Sequence, residues 1–212
     1  MTTHNRTLVT MTCQEVSLVT EATIGSMSEL PSWYPGTESK PAPMPLLRVQ
    51  GFVNTRDVEN GTDLLSDLVG ARSWLTEAGL LNDTAELTES DLERARGVRE
   101  AIRSMIEDED GHGFEPVREL AAVHRVRLTV ADDGTVELEN ARGDGLEDGL
   151  FELLLIIHRA QQEGTWSRLK LCGNPDCRWA FFDRSRNQQG SWCNMVTCGN
   201  RLKNRELRAR RR

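Results

Sequence analysis

Residues 172–201 read CGNPDCRWAFFDRSRNQQGSWCNMVTCGNR, and this stretch holds four of the five cysteines of the chain. The cysteines follow the pattern C-x4-C-x15-C-x4-C, which is two close pairs joined by an insert of hairpin length. Each pair supplies two thiolates from one local turn, and the insert brings the pairs together, as a tetrahedral Zn²⁺ requires. The pattern therefore predicts a metal site made by Cys172, Cys177, Cys193 and Cys198.

Four thiolates fill the coordination shell of zinc and leave no position for water, so the expected role of the metal is structural and not catalytic. Gly173, Asn174 and Pro175 favour the tight turn that such a site needs. Iron suits four thiolates as well. The alternatives to a metal are chance spacing and two disulfides, and the x4 gaps are less specific than the commoner x2 gaps.

The sequence around the cysteines predicts a treble-clef-like zinc finger. A strand is expected at residues 178–182, a polar loop at 183–190, and a helix from about Met195 with Leu202 and Leu207 on one side. A module of under about 50 residues has too little apolar content to fold without a stabilising crosslink such as a metal ion. The metal is therefore expected to hold this module together.

The charge of the chain differs sharply between its two parts. The net charge of the 212 residues is −7, yet residues 166–212 hold twelve basic and three acidic residues, which gives +9 there and −16 elsewhere. Such an asymmetry indicates a polyanionic partner for the basic part. The alternative is a solvated basic end that interacts weakly with its own acidic body.

The expected C-terminal helix carries a broad polar face, because its Asn and Arg residues recur at spacings of one, three and four. Asn and Arg side chains reach base edges, while Lys203 and the terminal arginines suit phosphates. We therefore predict a nucleic-acid surface here, and the alternative is a solvated helix end. The candidate contact residues are Arg178, Arg184, Arg186, Asn200, Arg201, Lys203, Asn204, Arg205 and Arg208.

Upstream of the cysteines, apolar spacing of three and four predicts helices. Thr62 and Asp63 are expected to cap a helix that Gly79 ends, and Thr88 is expected to cap a second helix. The apolar residues of the first helix are Leu64, Leu65, Leu68 and Val69, continued by Trp74 and Leu75. Those of the second helix are Leu92, Ala95, Val98, Ile102, Met105 and Ile106.

The remaining elements complete an α+β fold with a mostly helical body. Pro116 is expected to begin a short helix that runs through Ala122. Alternation with a period of two predicts a β-hairpin at residues 126–130 and 136–139, with a turn at Asp132-Asp133-Gly134. Residues 146–163 are predicted to form the central helix of the core, because 153–157 is apolar on every side.

Residues 1–45 are predicted to be peripheral, ahead of a helical domain at 46–165 and the finger at 166–212. Residues 35–45 have the composition of a proline-rich linker, and residues 7–24, rich in Thr and Val, suit either an added strand or disorder. Cys13 is expected to be an inert thiol. Because no segment resembles a signal peptide or a membrane span, a cytoplasmic protein is expected.

The sequence resembles a known family in both of its main parts. Cys198-Gly199-Asn200-Arg201 matches the motif of the CGNR zinc-finger proteins, and the three preceding cysteines fit their pattern. GFVNT at 51–55, DLL at 63–65 and WL at 74–75 resemble the start of the ABATE domain that usually precedes this finger. The resemblance covers residues 46–212. It implies a bacterial stress-induced transcription regulator with Zn²⁺ on the four cysteines.

Three functions are compatible with these features. In the first, the finger docks its helix on DNA, and the body senses a small-molecule effector or forms a homodimer. In the second, the chain is a zinc-stapled protein-interaction module whose basic end binds an acidic partner. In the third, it binds RNA through Trp179, Phe181 and Phe182, which would stack on bases if they were exposed.

An enzyme is not expected, because the sequence contains no phosphate-binding loop, no dinucleotide-binding glycine motif and no hydrolase or metalloprotease signature. Asn54, Thr55 and Arg56 leave two interpretations open. They line an unrecognised small-molecule pocket, or they are turn and capping groups.

Overall fold

The computed structural model describes residues 30–35, 40–107, 112–141, 143 and 145–210. Within these ranges helices are the main regular elements, and three small antiparallel sheets have two strands each. The helices are α1 (Leu46–Val53), α2 (Leu68–Glu77), α3 (Glu89–Glu107), α4 (Glu115–Val123), α5 (Leu146–Gln162) and α6 (Asn200–Arg210). The strands are β1 (Arg56–Asp57), β2 (Thr62–Asp63), β3 (Val126–Val130), β4 (Val136–Asn140), β5 (Leu169–Leu171) and β6 (Ala180–Phe182). A π-helical turn, Met195–Gly199, leads directly into α6.

Helix α5 lies at the centre of the hydrophobic core, as the sequence predicts. It packs against α1, α3 and α4, and Leu150, Leu153 and Ile157 on it are buried. Gly149 lets α5 approach the segment after α2 closely, because a Cβ atom there would lie 1.8 Å from the Leu80 carbonyl oxygen. The apolar run at residues 153–157 is therefore the inner part of the molecule.

The predicted starts of α3 and α4 are confirmed. Asp91 N–H donates to Thr88 Oγ1 at 3.2 Å, and Thr88 N–H donates to Asp91 Oδ2 at 2.8 Å. Each side chain thus accepts a hydrogen bond from the backbone N–H group of the other residue. Pro116 lies in the first turn of α4. The inward stripe of α3 includes the buried residues Leu92, Ala95, Val98 and Ile102.

The predicted helix cap at Thr62 and Asp63 is wrong. These residues form β2, which pairs with β1 in a small hairpin. The turn of the hairpin contains Asn60-Gly61, a dipeptide typical of tight hairpins, and Gly61 has a φ of +66°. The Asp63 carboxylate binds Arg99 of α3 and also accepts a 2.9 Å hydrogen bond from Leu65 N–H, in a turn that does not continue into a helix.

Helix α2 begins one turn later than the sequence predicts. Asp67 is its N-cap, and Asp67 Oδ1 accepts hydrogen bonds of 3.0 Å from the N–H groups of Val69 and Gly70. Val69 is consequently exposed, although it was expected on the apolar face. The predicted end of the helix is correct, since Gly79 follows the C-cap with a φ of +70°.

The predicted hairpin at residues 126–139 is present as β3 and β4. The strands pair from Val126↔Asn140 to Val130↔Val136. Leu128 lies opposite Leu138 in this register. The apolar side chains of β3 are nevertheless largely exposed. The alternation of apolar and polar residues therefore predicts the strands but does not show which apolar side chains are buried.

Part of the segment that the sequence predicts as a linker packs against the helices. Ala42 is buried, the Lys40 carbonyl accepts a 2.9 Å hydrogen bond from Phe182 N–H, and the rings of Trp33 and Trp74 meet edge to face. Residues 40–45 therefore contribute to the body. The predictions for residues 7–24 and for Cys13 lie outside the described residues.

No helix among the described residues is long and apolar enough to span a membrane.

Candidate metal centre and nucleic-acid interface

The four cysteines of the predicted metal site converge. Their Sγ atoms all lie within 4.8 Å of one another, with 3.7 Å between Cys177 and Cys193 and 3.8 Å between Cys193 and Cys198. A tetrahedral zinc ion with Zn–S bonds of about 2.3 Å requires sulfur atoms about 3.8 Å apart. The four sulfur atoms, including that of Cys172, therefore form a set of ligands that fits Zn²⁺.

Asn174 organises the first pair of cysteines. Its carbonyl accepts a 2.9 Å hydrogen bond from Cys177 N–H, which closes the turn between Cys172 and Cys177. Its side-chain Nδ2 donates to Cys198 Sγ at 3.8 Å, so one buried amide contacts both halves of the site. An N–H group directed at a sulfur stabilises the thiolate that a metal needs.

Asn194 has the corresponding role in the second pair. Its Oδ1 accepts hydrogen bonds from Val196 N–H at 2.8 Å and from Thr197 N–H at 3.3 Å. Its carbonyl accepts one from Cys198 N–H at 3.1 Å. This cap bends the chain so that Cys193 and Cys198 face the same point just before α6 begins.

Gly199 of the CGNR motif lies where an added side chain would displace the Met195 side chain and press on Trp192. A Cβ atom there would be 2.5 Å from Met195 Sδ and 3.2 Å from Trp192 Cδ1. Trp179 and Trp192 pack against the sulfur cluster. Cys193 is partly buried while the other three cysteines are buried, so the site is shielded from solvent on most sides.

Crowding of the thiols opposes the ionisation of all four at once. Hydrogen bonds from Cys177 and then Cys193 lower the pKa of Cys172 to about 2. Hydrogen bonding to Cys172 raises the pKa of Cys177 to about 12. A cluster of four thiolates therefore needs a bound cation, and four thiolates complete the tetrahedral shell of zinc.

The cysteine module shares the hydrophobic core of the helical body. Leu169, Ala180 and Phe182 of the β5–β6 hairpin belong to the same buried cluster as the inner residues of α1, α3 and α5. Both parts lie within one compact unit, Ser32–Arg212. The finger is therefore built onto the body and not tethered to it.

Two buried amides, Gln50 of α1 and its C-cap residue Asn54, connect β6 to the body. Asn54 Nδ2 donates to the Ala180 carbonyl at 2.9 Å, and Ala180 N–H donates to Asn54 Oδ1 at 2.8 Å. Gln50 Nε2 donates to the same carbonyl at 3.1 Å. The side chain of Asn54 thus pairs with the strand as a neighbouring backbone would. This role was not predicted from the sequence, although two amides four residues apart in an otherwise apolar segment are a visible signal.

Arg103 of α3 makes a second connection. Its Nη1 donates to the Arg178 carbonyl at 2.8 Å and its Nη2 to the Val53 carbonyl at 2.7 Å. Glu107 accepts a hydrogen bond of 2.6 Å from the Arg178 side chain. Burial lowers the pKa of Arg103, and the negative charge of Glu100 partly offsets this lowering. Buried polar contacts thus hold the first cysteine turn against α3.

The residues next to Asn54 have structural contacts as well. Thr55 is buried, donates to the Phe52 carbonyl at 2.7 Å and accepts from Arg99 at 3.0 Å. Arg56 lies 3.4 Å from Glu100. These contacts favour the interpretation of Asn54, Thr55 and Arg56 as turn and packing groups over that of a pocket.

The structure brings six of the nine candidate nucleic-acid contacts together on α6. All six side chains are exposed. Arg201 pairs with Glu59 of the β1–β2 turn, and Arg205 lies 3.5 Å from Asp176. The residues of this helix surface are Asn200, Arg201, Lys203, Asn204, Arg205 and Arg208.

The other three candidates lie elsewhere. Arg178 has a φ of +53° and is held against the body by Glu107. Arg184 and Arg186 lie in the exposed loop that follows β6, where Arg184 Nη2 donates to the Pro41 carbonyl at 2.8 Å. Arg178 therefore belongs to the junction between finger and body.

Asp183 organises that loop. It accepts hydrogen bonds from Gly190 N–H at 2.7 Å, from Ser185 N–H at 3.0 Å and from Lys170 Nζ at 3.0 Å. Burial opposes its ionisation, but the hydrogen bonds from Ser185, Lys170 and Gly190 outweigh burial and hold the pKa of Asp183 below its ordinary value. The loop carrying Arg184 and Arg186 is therefore a fixed turn.

Two of the three aromatic residues proposed to stack on RNA bases are buried, and the third, Trp179, is partly buried. Phe181 is fully buried and Phe182 is 7% exposed. Trp179 packs against the cysteine cluster. These rings form the core of the finger and its contact with the body.

The fold and the site define a helical domain joined to a four-cysteine zinc finger. Two family models match the chain in that order: ABATE, described as a putative stress-induced transcription regulator, matches residues 49–160, and the CGNR zinc finger matches residues 168–211. The chain belongs to the ABATE family and carries a CGNR zinc finger, which confirms the resemblance seen in the sequence. A search of curated proteins finds no match.

Proposed function

We propose that the chain is a DNA-binding transcription regulator, and not an enzyme, that contacts DNA through the exposed polar face of α6. The observation that carries this proposal is the cluster of six exposed Asn, Arg and Lys side chains on one helix next to a four-cysteine site. The net charge of +9 over residues 166–212 favours a polyanion as the partner. Membership of a family described as transcription regulators supports the same function.

The proposed metal is Zn²⁺ on Cys172, Cys177, Cys193 and Cys198. When bound, zinc supplies charge neutralisation and a rigid crosslink between the two cysteine turns. The residues of the chain then fix the start of α6, because Cys198 lies in the turn that continues into this helix. A helix held at its N-terminal end presents the Asn200 and Arg201 side chains in a defined orientation.

The arginines of α6 can exchange their carboxylate partners for DNA phosphate groups. Arg201 and Arg205 bind the carboxylates of Glu59 and Asp176, and both arginines are more than half exposed. Exposed ion pairs contribute little to stability, so phosphates can replace these carboxylates at low cost. We further propose that the helical body acts as a sensor or dimerisation domain.

Duplex binding measured against salt concentration tests this function. With full-length protein and labelled random-sequence DNA, neutralising about four to six phosphates gives a log–log slope of roughly −4 to −5. Replacing Arg201, Arg205 and Arg208 with Ala is expected to weaken the slope by about 3. The matched control replaces Arg94, Arg118 and Arg159, three exposed arginines of the body, and is expected to leave the slope unchanged.

Each outcome of this experiment decides between two functions. A steep slope that depends on the α6 arginines supports DNA binding. Absence of binding by the folded wild-type protein at low salt contradicts it, and the basic helix is then a docking surface for an acidic protein. Equal losses in both triple variants would contradict a specific role for α6.

A further inference from the structure

The hairpin of β3 and β4 exposes an apolar face and a backbone edge at the same place. The exposed fractions are 48% for Val126, 68% for Leu128, 70% for Val130 and 63% for Val136. These four side chains lie on one face of the hairpin, because residues two apart on a strand point the same way. Solvent-exposed apolar residues grouped on one strand mark an interaction surface.

The hydrogen bonds at the two ends of the hairpin show which backbone groups face outward. Ala131 N–H donates to the Thr135 carbonyl at 2.8 Å, and Ala141 N–H donates to the Arg125 carbonyl at 3.3 Å. Because bonding alternates along an antiparallel pair, the odd-numbered residues of β3 bond to β4. The N–H and C=O groups of Val126, Leu128 and Val130 therefore point away from β4.

Within the described ranges, β3 pairs with β4 and with no other strand, so its outer edge is unpaired there. Helix α5 contacts β4. Strand β3 is five residues long, contains no proline and carries one charge, that of Arg127. Natural proteins usually protect such an edge with charges, prolines or bulges, and a two-stranded sheet gains stability from a further strand.

We propose that β3 pairs with β3 of a second copy of this chain, antiparallel and two-fold symmetric about Leu128. In this register Leu128 lies opposite Leu128 of the second copy, and Val126 lies opposite Val130. These are the residues whose N–H and C=O groups face outward, so every residue pair can exchange two backbone hydrogen bonds. On the other face Arg127 lies opposite Thr129, and no like charges meet.

Symmetry and charge favour this pairing over the alternatives. Two β4 edges joined in the same way would place Glu137 opposite Glu139 twice, which is unfavourable. Pairing β3 with β4 of another copy leaves free edges and extends without closing. Of the two edges of this hairpin, the β3 edge is the one that closes into a two-fold dimer without opposing charges.

This inference specifies the dimerisation role included in the proposed function. It rests on the hairpin alone, and its test contains no DNA, so failure of one proposal does not entail failure of the other. A dimer of this kind would supply two fingers for two half-sites, and each added finger increases the effective affinity for DNA.

The oligomeric state of the full chain in solution tests the proposal. Sedimentation of the wild type over about a hundredfold range of concentration is expected to show a monomer–dimer equilibrium. Leu128→Lys and Leu128→Glu, each alone, place like charges opposite each other and are expected to weaken the dimer at least about tenfold. An equimolar mixture of the two variants is expected to restore a dimer, because Lys then lies opposite Glu.

Val69→Lys is the matched control, since Val69 is 83% exposed on α2 and lies outside the hairpin. It is expected to leave the dimer unchanged. A wild type that stays monomeric at every concentration, or a dimer that Leu128→Lys leaves intact, overturns the proposal. Failure of the mixture to associate overturns the register centred on Leu128. Unchanged thermal unfolding of both Leu128 variants at low concentration verifies that the monomer keeps its fold.

Discussion

Arg99 has the largest side chain among those that are fully buried, and it is 2% exposed. Asp63 accepts hydrogen bonds from both of its terminal nitrogens, at 2.6 and 2.7 Å. Bidentate pairing offsets the lost hydration of the guanidinium. Burial alone would raise the pKa of Asp63, but the hydrogen bond and the charge of Arg99 outweigh it, so the pKa is lowered. One carboxylate thus joins the β1–β2 hairpin to α3.

Asp63→Asn is expected to destabilise the protein by up to about 3–5 kcal/mol at neutral pH, because it removes the bidentate carboxylate partner of the buried Arg99 and leaves Glu100 as its remaining ion-pair partner. Urea unfolding measures the effect. Glu115→Gln is the control, because Glu115 forms an exposed ion pair with Arg118 and its loss should change little. Equal free energies of unfolding for the wild type and Asp63→Asn would contradict the assigned contact.

The same pair predicts a pH dependence. A lowered pKa means that the stabilising contribution of Asp63 is fully present above the ordinary aspartate pKa of about 4. It is lost as the pH falls through the lower pKa of the folded state. The stability difference between the wild type and Asp63→Asn should therefore be constant from neutral pH down to about 5 and shrink below about 4. A stability difference between the two proteins that grows as the pH falls would contradict the lowered pKa of Asp63.

At the scale of single residues, the sequence predicts the metal ligands but not their supports. The four cysteines occur in two short segments, so their spacing alone indicates the site. Asn54 and Ala180 are 126 residues apart, and no local pattern shows that they meet. Arg99 and Asp63 are 36 residues apart, and the same limit applies to them. Local chemistry is visible in the sequence, whereas pairing across the core is not.

At the scale of elements, most helices and the β3–β4 hairpin are predictable because their signals are local. Thr88 with Asp91, Pro116 and Gly79 mark helix ends through contacts within a few residues. The start of α2 is the exception, because two plausible caps, Asp63 and Asp67, compete. Asp63 accepts a hydrogen bond from Leu65 N–H in the turn after β2 and pairs with Arg99 across the core, and the contact with Arg99 belongs to the tertiary structure.

Substitution by alanine is expected to have opposite effects on protein stability at two glycines of the helices α5 and α3. Gly149→Ala should destabilise the protein by about 3 kcal/mol, since overpacking against the Leu80 backbone forces α5 to move. Gly97→Ala should stabilise it by up to about 1 kcal/mol, because α3 gains helix propensity and its new Cβ atom makes an ordinary 3.6 Å contact with Pro116.

Thermal unfolding of the two glycine variants measures these effects. A stabilised Gly149→Ala variant would contradict the close approach of α5 to the segment after α2. A strongly destabilised Gly97→Ala variant would contradict the contact described between α3 and α4.

At the scale of the whole molecule, the finger and the helical body unfold as one unit if they share a core. Phe182 and Leu169 lie in the same buried cluster as Leu153 of α5, and Asn54 and Arg103 bind the finger backbone directly. A domain boundary drawn at residue 166 therefore separates two sequence families but crosses a continuous core.

Removal of the metal is expected to lower the stability of the entire chain. Calorimetry should show one transition for the metal-loaded protein, and chelation should move it to lower temperature, because metal binding to the folded state alone adds to its stability. Cys177→Ser should have the same effect without a chelator. Two separate transitions, with that of the body insensitive to chelation, would contradict the shared core.

The affinity for duplex DNA before and after metal removal tests the central claim, that the four-cysteine site holds α6 in position to bind DNA. The full chain is measured at fixed salt as isolated, after chelation, and after Zn²⁺ is restored, with metal content determined at each stage. Chelation is expected to abolish salt-sensitive binding, and Zn²⁺ is expected to restore it. Unchanged affinity in protein verified to be metal-free would contradict this role of the metal site, because the basic residues would then act without the site that orders them.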